Sequence, residues 1–197
     1  MSEADDLIVA LTPVAAAFDR LSIRHFIGGS VASTMHGAIR STMDVDVICD
    51  LRADQVDAFL SAFGGDFYVS EAAVRQAVER RSCFNLIHLP TAYKVDVFVT
   101  RGRPFDVAAM ERAVPLSLAA GLEITVPVAT PEDSIVAKLE WFRIGDESSE
   151  RQWQDVSRLV TLHGDALDIG YMRRMAESVG VADLLERLLR SGKLGGP

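Results

Sequence analysis

Apolar residues recur along this chain with two different periods. Over residues 5–21, Leu7, Ile8, Leu11, Val14, Ala15, Phe18 and Leu21 fall at helical spacing and form one stripe suited to covering a sheet. A short strand is expected at Ile23–Ile27. Gly28-Gly29 breaks it, and Ser30–His36 reads as a brief helix ended by Gly37. The loop Ala38–Met43 leads into a strand at Asp44–Cys49. Residues 53–63 predict a helix with Val56, Phe59, Leu60 and Phe63 on its apolar side, closed by Gly64-Gly65. A short strand near Phe67–Val69 and a helix over 71–79 lead to two strands, Ser82–Leu89 and Ala92–Thr100, joined at Pro90-Thr91. In the second of these, Val95, Val97 and Val99 take one side and Asp96 and Phe98 the other. A helix near 105–112 and strands near 114–118 and 122–128 complete this mixed part.

From Thr130 onward the pattern is helical only. Thr130-Pro131-Glu132-Asp133 combines a capping threonine, a proline at the first helical position and an acid three residues after the cap, so a helix starts there and runs to about Arg143. A polar link at GDESS precedes a helix over Glu150–His163 with Trp153, Val156, Leu159 and Val160 inward. Two more amphipathic helices are expected near 168–179 and 181–190, with SGKLGGP as a frayed tail. The pattern predicts a mixed α/β core over residues 1–129 followed by a helical C-terminal region over 130–197. There is no internal repeat or low-complexity stretch.

Composition narrows the class. At 197 residues, 49% hydrophobic and 24% charged, the chain has the makeup of a globular protein rather than a disordered or fibrous one. The acidic start MSEADD lacks the basic region of a secretory signal, and no segment approaches the roughly 18 apolar residues of a membrane span, so a cytoplasmic, non-membrane protein is expected. Cys49 and Cys83 are too few and too far apart for a zinc site or a disulfide framework and read as small core residues. A net charge of −8 argues against a surface that grips nucleic acid throughout. The groups Arg75, Arg80 and Arg81, Arg101 and Arg103, and Arg173 and Arg174 leave a local basic patch open.

The stretch Phe26–Val47, FIGGSVASTMHGAIRSTMDVDV, carries the chemistry. Asp44 and Asp46 sit two residues apart in a strand and therefore share a face. Two acids on one face of an apolar strand are costly unless something positive lies between them. The glycine turn upstream offers backbone N–H groups to an anion. Together these features suggest phosphates held against a divalent metal. A third acid, Asp96, lies in a later strongly β-prone run and meets the same face if the two strands are neighbours. His36, His88 and His163 show no ligand spacing.

The ordered set Gly28-Gly29-Ser30, thirteen residues, Asp44-Val45-Asp46, then Lys94-Val95-Asp96-Val97 resembles the polymerase-β-like nucleotidyltransferase superfamily over roughly residues 23–100. The similarity extends to the compact AbiEii-like and other toxin–antitoxin-associated nucleotidyltransferases with a helical C-terminal half. The resemblance implies a mixed twisted sheet of the nucleotidyltransferase type with flanking helices. It implies Mg²⁺-dependent transfer of an NMP from an NTP to a hydroxyl, with two metal ions, Mn²⁺ being an alternative. Asp44 and Asp46 would bridge the metals, and Asp96 would complete the coordination near the acceptor. Gly28, Gly29 and Ser30 would hold the triphosphate, and Arg40 would pair with a phosphate. On the C-terminal helices the resemblance implies a lysine and an aspartate. Lys138, bordering the stripe Ile135, Leu139 and Phe142, and Asp155 are the candidates, although Arg151 and Arg158 leave a solvated salt-bridge face open for Asp155. The acceptor stays open among tRNA, protein and a small molecule. A cognate toxin or antitoxin partner, a non-catalytic regulatory module of the same fold and a drug-modifying enzyme are the alternatives.

Overall fold

The computed structural model describes residues 3–37, 44–117 and 125–193. Helix α1 (Glu3–Arg20) is followed by β1 (His25–Ile27), α2 (Gly29–Met35) and β2 (Asp44–Cys49). Then come α3 (Val56–Leu60), β3 (Phe67–Val69), α4 (Glu71–Arg80), β4 (Cys83–His88), β5 (Tyr93–Val99) and α5 (Pro104–Arg112). Strands β6 (Val114–Ser117) and β7 (Thr125–Val128) precede four helices, α6 (Pro131–Ile144), α7 (Glu150–His163), α8 (Ile169–Ser178) and α9 (Ala182–Lys193). The seven strands form one mixed sheet in the order β3-β4-β5-β2-β1-β7-β6. This is the expected architecture, a mixed sheet with flanking helices followed by helices alone.

Strand alternation divides the sheet into a dry face and an open one. Val45, Val47 and Cys49 of β2, Val95, Val97 and Val99 of β5, and Phe84 and Leu86 of β4 are all buried. Phe18 of α1 packs on Phe59 of α3, and Phe59 packs edge-on against Phe84, so α1 and α3 close this side. The residues between them in sequence, Asp44, Asp46 and Ile48, Lys94, Asp96 and Phe98, and Cys83, Asn85 and Ile87, share the opposite face. Helix α6 lies on that side, with Trp141 edge-on to Phe98 at 5.9 Å between ring centroids.

Several boundaries differ from the periodicity. Strand β1 starts at His25 because the Ile23 amide donates to the Phe18 carbonyl and closes α1 instead of joining the ladder. The helix expected over 53–63 is a 3-10 turn at Ala53–Gln55 and the short α3. Its end tightens, with the Ala62 and Phe63 amides donating to carbonyls three residues back. Cys49 is buried as expected, but Cys83 is exposed, because it opens β4 on the uncovered face. The last helix continues to Lys193, through part of the expected frayed tail, because Leu184, Leu185 and Leu188 bury its apolar side. Residues 194–197 lie outside the described residues, as do parts of the expected strands at 118 and 122–124. No helix among the described residues is long and apolar enough to cross a membrane.

The C-terminal helices α6 and α8 are joined to α5 by a buried polar knot. Asp133, 1% exposed, accepts from the Tyr171 hydroxyl and from Thr130 Oγ1 at 2.7 Å, while its own amide donates back to Thr130 Oγ1. The Arg112 guanidinium stacks 4.0 Å above the Tyr171 ring and pairs with Glu132 at 3.2 Å. Burial and Asp133 push the Tyr171 phenol up, so it keeps its proton and donates. Tyr171→Phe leaves a buried carboxylate one donor short. The expected cost is about 1–3 kcal/mol, read as a lower urea midpoint at unchanged m-value, and an unchanged midpoint would remove Tyr171 from this joint.

Candidate functional site

Pairing in the sheet assembles the acids. Strands β2 and β5 are parallel neighbours in a register that sets Asp46 beside Asp96 and Asp44 beside Lys94. Strand β4 is antiparallel to β5 and sets Asn85 on the other side of Asp96. All five side chains start from the open face. Asp44 is exposed, whereas Asp46 is half-buried and Asp96 retains 16% side-chain exposure.

Asp46 is covered by the glycine turn. The Gly28 amide donates to the Asp46 carbonyl at 2.9 Å, which carries the β1–β2 ladder one residue into the turn. Gly29 then adopts φ +58°, and a Cβ on it would overlap the Asp46 carboxylate. At Gly28 a Cβ would fall 2.7 Å from Ile48 Cδ1. The paired glycines thus let the backbone pass over the carboxylate at a distance no side chain permits. Helix α2 begins directly after this turn without a side-chain cap, and half-buried Ser30 lies in its first turn.

Two histidines hold α2 in place. His36, at its C-terminal end, donates from Nε2 to the Ala129 carbonyl at 2.6 Å, just before α6. His163, at the end of α7, donates from Nε2 to the His36 carbonyl at 3.1 Å. The glycine turn and α6 are therefore fixed relative to each other.

Helix α6 brings Lys138 to the same place. Lys138 is buried, its stem within the apolar surface beside Ile135 and Leu139, and its ammonium donates to Asp155 of α7 at 3.3 Å. Asp155 is buried as well, so it does not lie on a solvated face. Lys138 is close enough for its charge to stabilise ionised Asp46. Lys94 donates to Asp96 at 2.7 Å, and this hydrogen bond holds its ammonium above its ordinary pKa. Burial pushes the Asp46 carboxyl up to about 6, with Asp96 and Asp44 adding to the effect and Lys138 and Lys94 opposing it.

The residues expected at the site are thus largely gathered: Gly28, Gly29, Asp44, Asp46, Asp96 and Lys138 meet around one strand end, Ser30 follows the turn, and Asp155 anchors Lys138 from behind. Arg40 lies outside the described residues. Among the described residues, no group of three His, Cys, Asp or Glu side chains is arranged to hold a metal ion. The donor chemistry nevertheless suits a hard cation: two adjacent carboxylates, one raised to about 6 by burial and by its acidic neighbours, favour a positive charge between them. Sequence reasoning missed two members of the cluster. Lys94 was legible, because it lies two residues before Asp96 and so shares its face. Asn85 was not, because its place depends on the β4–β5 register.

No family model matches the chain, and no curated protein matches it in sequence. Solved structures do resemble it. The crystal structure of an antigenic nucleotidyltransferase-like protein from Paracoccidioides brasiliensis is 17% identical, covers 94% of this chain and 93% of its own, and superposes with a TM-score of 0.54. The antibiotic-resistance factor ANT(2'')-Ia is 14% identical, with 93% of this chain and 91% of that one covered and a TM-score of 0.46. JHP933 from Helicobacter pylori is 12% identical, with 98% and 96% covered and a TM-score of 0.42. The chain has the fold of nucleotidyltransferase-like proteins.

Gly29→Ala combines a left-handed φ with overlap on Asp46, and should lower stability by at least about 1–2 kcal/mol for the backbone alone, measured by chemical denaturation. An unchanged midpoint would show that the turn relaxes freely. For Asp46, the carboxyl pKa is raised from its ordinary 3.8 to about 6 on folding. The folded state therefore binds the proton more tightly, and ionising Asp46 costs stability progressively as pH rises from about 4 to 6. In chelator-treated protein, Asp46→Asn should melt above wild type at pH 7, with the margin closing as pH falls through that window. A margin independent of pH would contradict this.

Proposed function

We propose that this protein is a nucleotidyltransferase that moves an NMP from an NTP to a hydroxyl acceptor. The observation that carries the reading is the half-buried Asp46 carboxylate, set beside Asp96 and beneath a glycine turn that tolerates no side chain. A binding module has no physical need to hold two acids together at that cost. In this reading residues 1–129 form the catalytic core, and residues 130–197 form a helical region that delivers Lys138 and Asp155.

Each residue then has a role. The amides of the glycine turn and Ser30 bind the phosphates from the β1–α2 side. Lys138, held by Asp155, places a fixed positive charge against the triphosphate and keeps Asp46 ionised. Asp44, Asp46 and Asp96 would hold Mg²⁺, which when bound neutralises charge on the entering and leaving oxygens. Asp96 also stands where it can orient the acceptor hydroxyl and take its proton. In-line displacement requires the acceptor to enter opposite the leaving pyrophosphate. With the phosphates on the α2 side, the acceptor approaches over β5 and β4, past Asn85 and Phe98. A net charge of −8 favours a cationic small acceptor over a polyanion, and tRNA and protein are the competing substrates.

The test is incubation with each α-labelled NTP and Mg²⁺ against aminoglycosides, tRNA and the protein itself. Label should transfer to one acceptor class, and Asp44→Asn should lower the rate at least about a hundredfold, a loss typical of removing a group that stabilises transition-state charge. If no acceptor is labelled and Asp44→Asn leaves Mg²⁺-dependent NTP binding unchanged, the catalytic reading fails.

A further inference from the structure

The two lysines at the acid cluster are held in different ways. Lys138 is buried with Asp155, and a buried ion pair is costly to open. Lys94 keeps 43% side-chain exposure while its partner Asp96 keeps 16%. Its four-carbon stem is therefore free to swing into solvent, whereas the carboxylate is fixed in the sheet. The register makes the placement specific. Residue 94 lies beside Asp44, its ammonium reaches Asp96 at 2.7 Å, and the charges of Asp96, Asp44 and Asp46 all act on it. A half-exposed pair of this kind contributes little to stability, so opening it is cheap. Its charge nevertheless stands among the carboxylates that a divalent cation would need.

We propose that Lys94 is an internal counter-cation of the acid cluster, holding Asp96 until a divalent cation displaces it. Loading of the site is then an exchange of one cation for another. Lys94 leaves the Asp96 carboxylate for solvent, and that carboxylate turns to the incoming ion. The mobile ammonium shields the acids from one another beforehand and sets the metal concentration at which the site fills. This inference rests on the reading of Asp44, Asp46 and Asp96 as metal ligands.

The experiment is titration of the full-length chain with Mn²⁺ at low ionic strength without nucleotide, with free Mn²⁺ counted by electron paramagnetic resonance. Wild type, Lys94→Met, Lys94→Gln, Lys94→Arg and Asp46→Asn are compared, each checked for a native melt. Removing one positive charge several ångströms from a divalent ion should tighten binding by about five- to tenfold in both neutral variants. Lys94→Arg, which keeps the charge, should stay within about twofold of wild type on the same basis. Raising the salt should shrink the difference. Equal or weaker binding by both neutral variants overturns the role of Lys94, provided that Asp46→Asn still abolishes binding. Mn²⁺ binding that survives Asp46→Asn, or that occurs in no form of the protein, overturns the ligand reading itself.

Discussion

The arrangement turns on one unfavourable contact: an aspartate carboxylate half-buried next to another aspartate and roofed by backbone. Removing Asp46 from water and setting Asp96 beside it both favour the protonated acid, which is why its carboxyl rises to about 6. A chain does not retain such a contact for stability. What makes it tolerable is positive charge from two directions, Lys138 from the helical side and Lys94 from the neighbouring strand. The roof is made of glycine, so the carboxylate is crowded by backbone rather than by a side chain.

The rest of the fold supplies the precision that this contact demands. Parallel pairing of β2 and β5 requires the chain to leave β2 and return, and residues 50–92 do so through α3, β3, α4 and β4. That excursion brings β4 back on the far side of β5 and places Asn85 against Asp96. The valines of β2 and β5 lock the register, because a slip by one residue would turn Asp46 and Asp96 into the dry core and the valines onto the open face. On the other flank, α6 starts beside the end of β1, since β7 is parallel to β1 and the Ala129 amide donates to the Ile27 carbonyl. Lys138 thus reaches the acids from a helix whose start is pinned to the same strand that ends in the glycine turn.

Much of this was legible in the chain. Alternation in KVDVFV put Asp96 opposite the valines, and Gly28-Gly29 between a strand and a helix marked a special backbone path. Thr130-Pro131 located the start of α6, where the Thr130 hydroxyl accepts from the Asp133 amide. What was not legible depended on pairing between distant segments. Asp155 is legible as a candidate beside Lys138, but its arginine neighbours leave a solvated face equally open in the sequence, and only the packing of α7 on α6 turns it inward toward Lys138. The polar knot of Arg112, Asp133 and Tyr171 joins three helices that sequence spacing does not relate. Cys83 had the surroundings of a core residue, but β4 is covered on one face only.

The contrast between the two lysines follows from where the sheet ends and the helices begin. A strand residue on an uncovered face has solvent above it, so Lys94 pairs with Asp96 by choice of rotamer and can be exchanged. A helix residue packed between α6 and α7 has no such freedom, so Lys138 is part of the wall. Lys138 is paired with Asp155 and Lys94 with Asp96, and both ammoniums also oppose the rise at Asp46. At Asp46 burial and the two neighbouring acids outweigh the two lysines, and the acids face the open side of the sheet, where β5 and β4 lead away from them. A cation arriving there meets a carboxylate pair that the interior of the protein has left only partly neutralised.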